Sequence, residues 1–133
     1  MEKVFFPINI SDSHWVLAVA LIKQKRIVFR DALGGSGHKY TTAVKKYLAD
    51  EMCQKHCVPH AESQAQLDAW DVQPLPPDGS PQQTNGFDCG MFVCMYADYL
   101  MQDLPEQFSQ EHMPMLRHKI AHCVLEGSLM YTV

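Results

Sequence analysis

From Lys3 to Ile10 the chain is mostly apolar and halts at Ser11-Asp12-Ser13, the signature of a strand running into a turn. The next run, Trp15 to Ile22, is apolar without alternation, which suits a central strand covered on both faces. Lys23-Gln24-Lys25 makes a turn, and residues 26–33 return as an alternating strand before Gly34-Gly35-Ser36-Gly37 breaks the pattern. Residues 41–57 read as an amphipathic helix, with a threonine cap, a stripe of Val44, Tyr47, Leu48 and Met52, and a stop at Val58-Pro59. Residues 60–73 carry little periodicity, and a short strand at Trp70-Asp71-Val72 is the one element they suggest. The stretch 73–81, rich in proline, is a stiffened loop.

A polar turn over residues 82–88 then gives way to a helix that is apolar nearly all round and ends before Pro105. A last amphipathic helix fills 109–127, capped by Ser109, striped by Leu116, Ile120, Cys123 and Val124, and stopped by Gly127. Three strands, a helix, a short strand and two helices in that order predict an α+β fold.

At 133 residues the chain is one domain's worth, able to bury roughly two thirds of its unfolded surface. Its net charge of −4 argues against nucleic-acid binding, which needs a clustered basic face. No apolar run approaches the ~20 residues of a membrane span, and the first ten residues lack the pattern of a signal peptide. Five cysteines form no disulfide-like framework, which points to a reducing compartment, the cytosol or nucleus.

Cys89 falls at or next to the first helical position, where unpaired N–H groups favour a thiolate over a thiol. Asp88 is placed to cap that helix, Gly86 to ease the turn, and Gly90 to leave space beside the sulfur. Cys94, an inner-turn cysteine, reads as packing. A reactive thiol needs a base, and His14, opening the apolar strand, stands out among seven histidines. A hairpin turning on Lys23-Gln24 sets Asp31 opposite Val16, making Asp31 and His14 a diagonal pair ~7–8 Å apart at Cα. A one-residue slip would put them on opposite faces. An oxyanion needs donors, and the Cys89 N–H together with Gln82 or Gln83 could supply them; the residues alone do not choose between the glutamines. Trp15 could line a groove, though composition favours the core. Cys53, His56, Cys57 and His60 invite a zinc reading, but one helix end rarely supplies a tetrahedral site, and core cysteines beside surface histidines are expected instead. The Gly-rich turn lacks a phosphate loop's Gly-Lys-Ser/Thr ending.

Taken in order, "HWVLAVALI", "RIVFRDALGG", "PQQTNGFDCGMFVCMYADYL" and "FSQEHMPMLRHKI" resemble the ubiquitin-like-protein proteases, the SUMO-specific (sentrin-specific) cysteine peptidases of the papain-like kind. The resemblance runs over most of the chain and weakens between residues 40 and 73. It implies a papain-like fold, a central, mostly antiparallel sheet flanked by helices. It implies His14 as general base, Asp31 as the residue orienting it, Gln83 rather than Gln82 as oxyanion donor, and Cys89 as nucleophile. Trp15 corresponds to the tryptophan flooring the tunnel for a modifier's Gly-Gly tail. The implied partner is SUMO or a related modifier with its lysine-linked conjugates, with no cofactor and no metal. Residues 1–133 then form a single cysteine peptidase catalytic domain, truncated relative to the family, whose domain extends upstream and carries a second tryptophan and much of the docking surface.

Three other functions fit parts of the pattern: a protease for a Nedd-type modifier, an acetyltransferase using the same thiol, and a non-catalytic ubiquitin-like-binding module. The acetyltransferase needs a basic phosphate pocket, and no Lys/Arg cluster is evident.

Overall fold

A computed structural model describes residues 2–73 and 79–128. The elements are β1 (Lys3–Ile10), β2 (His14–Leu21), β3 (Arg26–Arg30), α1 (His38–His56), α2 (His60–Asp68), β4 (Asp71–Gln73), α3 (Cys89–Met101), a 3-10 turn (Gln110–His112) and α4 (Met113–Glu126). They form one sheet of order β1-β2-β3-β4, antiparallel except for the parallel β3–β4 pair. The α+β prediction holds, and the sheet is mostly antiparallel, with β3–β4 as its one parallel pair among the described residues.

The unalternating run of β2 is explained by its place. Leu17 and Val19 face α3 and α4, packing with Met91, Phe92, Met95 and Tyr96, whereas Val16 and Ala18 face α1 with Ile27, Phe29 and Val44. A strand with helices on both faces has no side free for polar residues. The β2–β3 ladder pairs Leu17 with Arg30 and Leu21 with Arg26, the register that a turn on Lys23-Gln24 dictates. β3 ends at Arg30, three residues early, because the Asp31 carboxylate accepts the backbone N–H groups of Leu33 (2.8 Å) and Gly35 (3.1 Å) and turns the chain.

Several helix details differ from the sequence reading. α1 starts at His38 with Gly37 as N-cap at φ 68°, and no threonine caps it; Thr41 and Thr42 instead donate back to the His38 carbonyl. Val44 is buried on its stripe, but Tyr47 is largely exposed, edge-on to Phe6. Helix α2 was invisible as periodicity, since only Ser63 and Leu67 of its nine residues are buried. It begins straight after Pro59, whose fixed φ suits a helix start. Cys94 is exposed on α3, not packed; a helix apolar all round does not announce which side meets the core. Val124 is 75% exposed, because α4 gives the core only Met113, Leu116 and Ile120 before its last turns run past it. Gly127 ends α4 in the left-handed conformation, as expected. Of the proline-rich loop, Gln73 belongs to β4 and residues 74–78 lie outside the described residues.

Two tethers set α3 along the sheet. The Lys3 ammonium donates to the Leu100 carbonyl (2.8 Å), the Met101 carbonyl (3.2 Å) and Asp103 (2.7 Å), holding β1 to the negative end of the helix dipole. The Tyr96 hydroxyl donates to the Pro81 carbonyl, which anchors the loop leading into α3. Burial and neighbouring Glu106 raise the Tyr96 pKa, so the phenol stays a donor.

Candidate active site

His14 is the first residue of β2, and its Nε2 lies 2.7 Å from Asp31 Oδ1. Both side chains are largely shielded, at 15% and 10% exposure. Asp31 stands one position beyond the β2–β3 ladder, diagonal to His14, as the hairpin register requires. Its two backbone hydrogen bonds fix the carboxylate, and Gly35 leaves room for it: a β-carbon there would fall 2.4 Å from Oδ2. With Nε2 engaged, Nδ1 is the imidazole nitrogen free to take a proton.

Cys89 opens α3 and is 6% exposed. The two halves of the site meet where Trp15, next to His14, lies against Gly90, next to Cys89. Trp15 Cδ1 is 4.0 Å from where a Gly90 β-carbon would stand. That is ordinary van der Waals contact, so Gly90 borders the indole rather than an empty space. Trp15 itself is 41% exposed and not a core residue. Gly86 needs no special conformation, its φ not being positive and a β-carbon there meeting nothing.

Gln83 is buried, its backbone N–H donating to the Ala32 carbonyl at 3.0 Å, one residue past Asp31. Its Nε2 donates to the Asn85 carbonyl at 2.6 Å, which uses one of two amide hydrogens, and its Oε1 is buried without a partner. Gln82 is exposed. The structure thus collects His14, Trp15, Asp31, Gln83 and Cys89 at one end of the sheet, around the start of α3.

Asp88 does not cap α3 with its side chain. Its carboxylate, 3% exposed, accepts from Asn85 Nδ2 and Gln110 Nε2, both 2.7 Å, and from Arg117 Nε at 3.0 Å and Nη2. Burial pushes the Asp88 pKa up, but the hydrogen bonds from Asn85, Arg117 and Gln110 and the Arg117 charge outweigh it, and the net result lies below the ordinary carboxylate value. Asn85, Gln110 and Arg117 were missed in the sequence. All three nevertheless lie within the motifs that carry the family resemblance.

The zinc reading finds no support, for among the described residues no three His, Cys, Asp or Glu side chains converge. His60 pairs with Asp50 at 2.9 Å, and Cys57 is exposed rather than core.

Residues 1–127 match the Ulp1 protease family, C-terminal catalytic domain. The chain belongs to the Ulp1 protease family. It is 37% identical over 129 residues to human sentrin-specific protease 2, covering 97% of this chain and 21% of that protein. Ubiquitin-like-specific protease 1 of Saccharomyces cerevisiae is 32% identical over 133 residues, covering 97% of this chain and 19% of that protein. Among solved structures, the C-terminal Ulp1 protease domain in complex with Smt3, the yeast ortholog of SUMO, superposes with TM-score 0.73 at 30% identity, covering 95% of this chain and 53% of that one. The chain therefore spans about a fifth of the length of these curated Ulp1-family relatives and about half of the solved catalytic domain. Among the described residues no helix is long and apolar enough to cross a membrane.

Proposed function

We propose that residues 1–133 are one cysteine peptidase catalytic domain that cleaves after the C-terminal Gly-Gly of SUMO, both in precursors and in lysine-linked conjugates. The observation that supports this reading is the His14–Asp31 contact beside the Trp15–Gly90 contact, with Trp15 following His14 and Gly90 following Cys89 in the chain. Membership of a family whose relatives are named for sentrin and ubiquitin-like modifiers supports the substrate class.

The chemistry runs as acyl transfer. Asp31 holds the Nε2–H of His14, so Nδ1 takes the proton from the Cys89 sulfur. The thiolate attacks the carbonyl carbon of the terminal glycine, and the oxyanion is held by the Cys89 N–H and the second amide hydrogen of Gln83. His14 returns the proton to the departing lysine amine as the C–N bond breaks, leaving a thioester. His14 then deprotonates a water that attacks the thioester, releasing the modifier's carboxylate and restoring the thiol. The shielding of Cys89 suits this substrate, since a tail without β-carbons is the kind of chain that slides past Trp15 to a sulfur so little exposed. A reducing nuclear or cytoplasmic compartment matches a free thiol nucleophile.

The deciding experiment mixes the full chain with a SUMO precursor extending past Gly-Gly and, separately, with SUMO bearing an electrophilic C-terminus. Cleavage after Gly-Gly and covalent capture at Cys89 are expected. Reversible binding alone would make the chain a docking module, and capture of a Nedd-type probe in preference to SUMO would reassign the modifier.

A further inference from the structure

The oxyanion loop is held from outside by two residues that nothing in the proposed chemistry requires. Gln110 accepts the Thr84 N–H through Oε1 at 2.9 Å while donating through Nε2 to Asp88 at 2.7 Å, so one side chain clamps both ends of residues 84–88. Arg117 grips the same carboxylate through Nε and Nη2 and also donates to the Phe87 carbonyl at 3.2 Å. Asp88 passes the constraint inward: Asn85 donates to it through Nδ2, accepts the N–H groups of Phe87 and Asp88 through Oδ1, and accepts Gln83 Nε2 through its carbonyl. One connected set of hydrogen bonds thus runs from α4 to the glutamine amide and to the residue before the thiol.

We propose that Gln110 and Arg117 are positioning residues that act through Asp88 to aim the Gln83 amide and to keep Cys89 reactive, an inference resting on the catalytic roles given above. Two physical effects are combined. Aiming matters because an oxyanion donor works only when fixed in place before the charge develops. Charge matters because Asp88 adjoins Cys89, and a bare carboxylate there would disfavour the thiolate. The groups facing that carboxylate are Asn85 from its own loop, Gln110 from the 3-10 turn and Arg117 from α4, and Arg117 is the only cation among them. Arg117 cancels the charge as well as fixing its position, with the two-pronged geometry that a guanidinium offers and an ammonium does not.

The test uses the full chain and two readouts. One is kcat and KM on SUMO carrying a fluorogenic amide at its C-terminus. The other is the rate of Cys89 alkylation by iodoacetamide, located by peptide mass spectrometry, which needs no modifier substrate and stays informative if SUMO is not the substrate. Arg117→Met is expected to slow alkylation and lower kcat about 10-fold or more, with KM within about twofold. Adding Asp88→Asn to Arg117→Met removes the orphaned charge and should recover most of the alkylation rate, which a purely structural lesion would not allow. Gln110→Ala, which leaves Arg117 on Asp88, should lower kcat about threefold or more while alkylation changes less. Arg117→Lys should fall between parent and Arg117→Met in both readouts, and supplies the comparison if the methionine variant does not fold. Unchanged rates in Gln110→Ala and Arg117→Lys, or a loss in Arg117→Met that the double variant fails to recover, would overturn the proposal.

Discussion

The Nε2 of His14 and Oδ1 of Asp31 stand 2.7 Å apart because the β2–β3 hairpin turns two residues past Leu21, which sets Asp31 diagonal to the strand's first residue. The carboxylate is fixed independently of the imidazole by the Leu33 and Gly35 N–H groups. Asp31→Asn should therefore lower kcat by ~10²-fold or more, the range of general acid–base help. The melting temperature should move little, since the amide oxygen can still accept one of the two turn N–H groups. Steady-state kinetics beside a thermal melt checks this, and a stability collapse without a specific kinetic loss would make Asp31 structural.

Gln83 is held at its backbone by Ala32 and at its amide by Asn85, so truncating it leaves the loop's other anchors in place. Gln83→Ala is expected to cost ~10²–10³-fold in kcat, the usual loss for one oxyanion donor. KM should stay near the parent value, because the proposed oxyanion role acts on the transition state more than on the bound substrate. A change confined to KM would place Gln83 in binding instead.

Gly37 offers a stability test away from the site. Its φ of 68° favours glycine, and a β-carbon there would lie 2.2 Å from Phe29 Cδ1, on a buried ring stacked against Tyr40. Gly37→Ala should destabilise the fold by about 2 kcal/mol or more through backbone strain and overpacking. The expected readout is a lower urea midpoint with an unchanged m-value, and a midpoint equal to the parent's would refute it.

Asp88 predicts a pH dependence. Its folded pKa lies below the ordinary carboxyl value of ~3.9. The stabilisation it contributes is therefore complete above that value and disappears as pH falls through the lower folded pKa. Urea unfolding of parent and Asp88→Asn at pH 6 and at pH 3 should show a stability gap at the higher pH that narrows at the lower one. A gap that widens on acidification would contradict the sign.

What the sequence made legible follows from distance along the chain. β2 could be read because burial on both faces leaves an unbroken apolar run, and the His14–Asp31 pair because a tight turn fixes register over a few residues. α2 was lost because only Leu67 and Ser63 of its residues are buried, too few to create a stripe. Asp88 does stand at the N-cap position, as read, but its side chain does not cap the helix, and nothing local reveals that Arg117, 29 positions on, claims its carboxylate. Cys94 and Val124 failed for the opposite reason: apolar character outruns the surface available to cover it. Gln83 and Gln82 differ in burial, the one buried and the other exposed, a difference composition does not carry.

The thinness of α4's attachment has an operational consequence. His14 is mounted on the most enclosed strand of the molecule, whereas the loop before Cys89 is gripped by a helix that reaches the core through Met113, Leu116 and Ile120. Elements held by few buried contacts open at lower cost than the whole. Warming should consequently silence the enzyme while its circular dichroism still looks native, and cooling should bring the rate back without any need to refold.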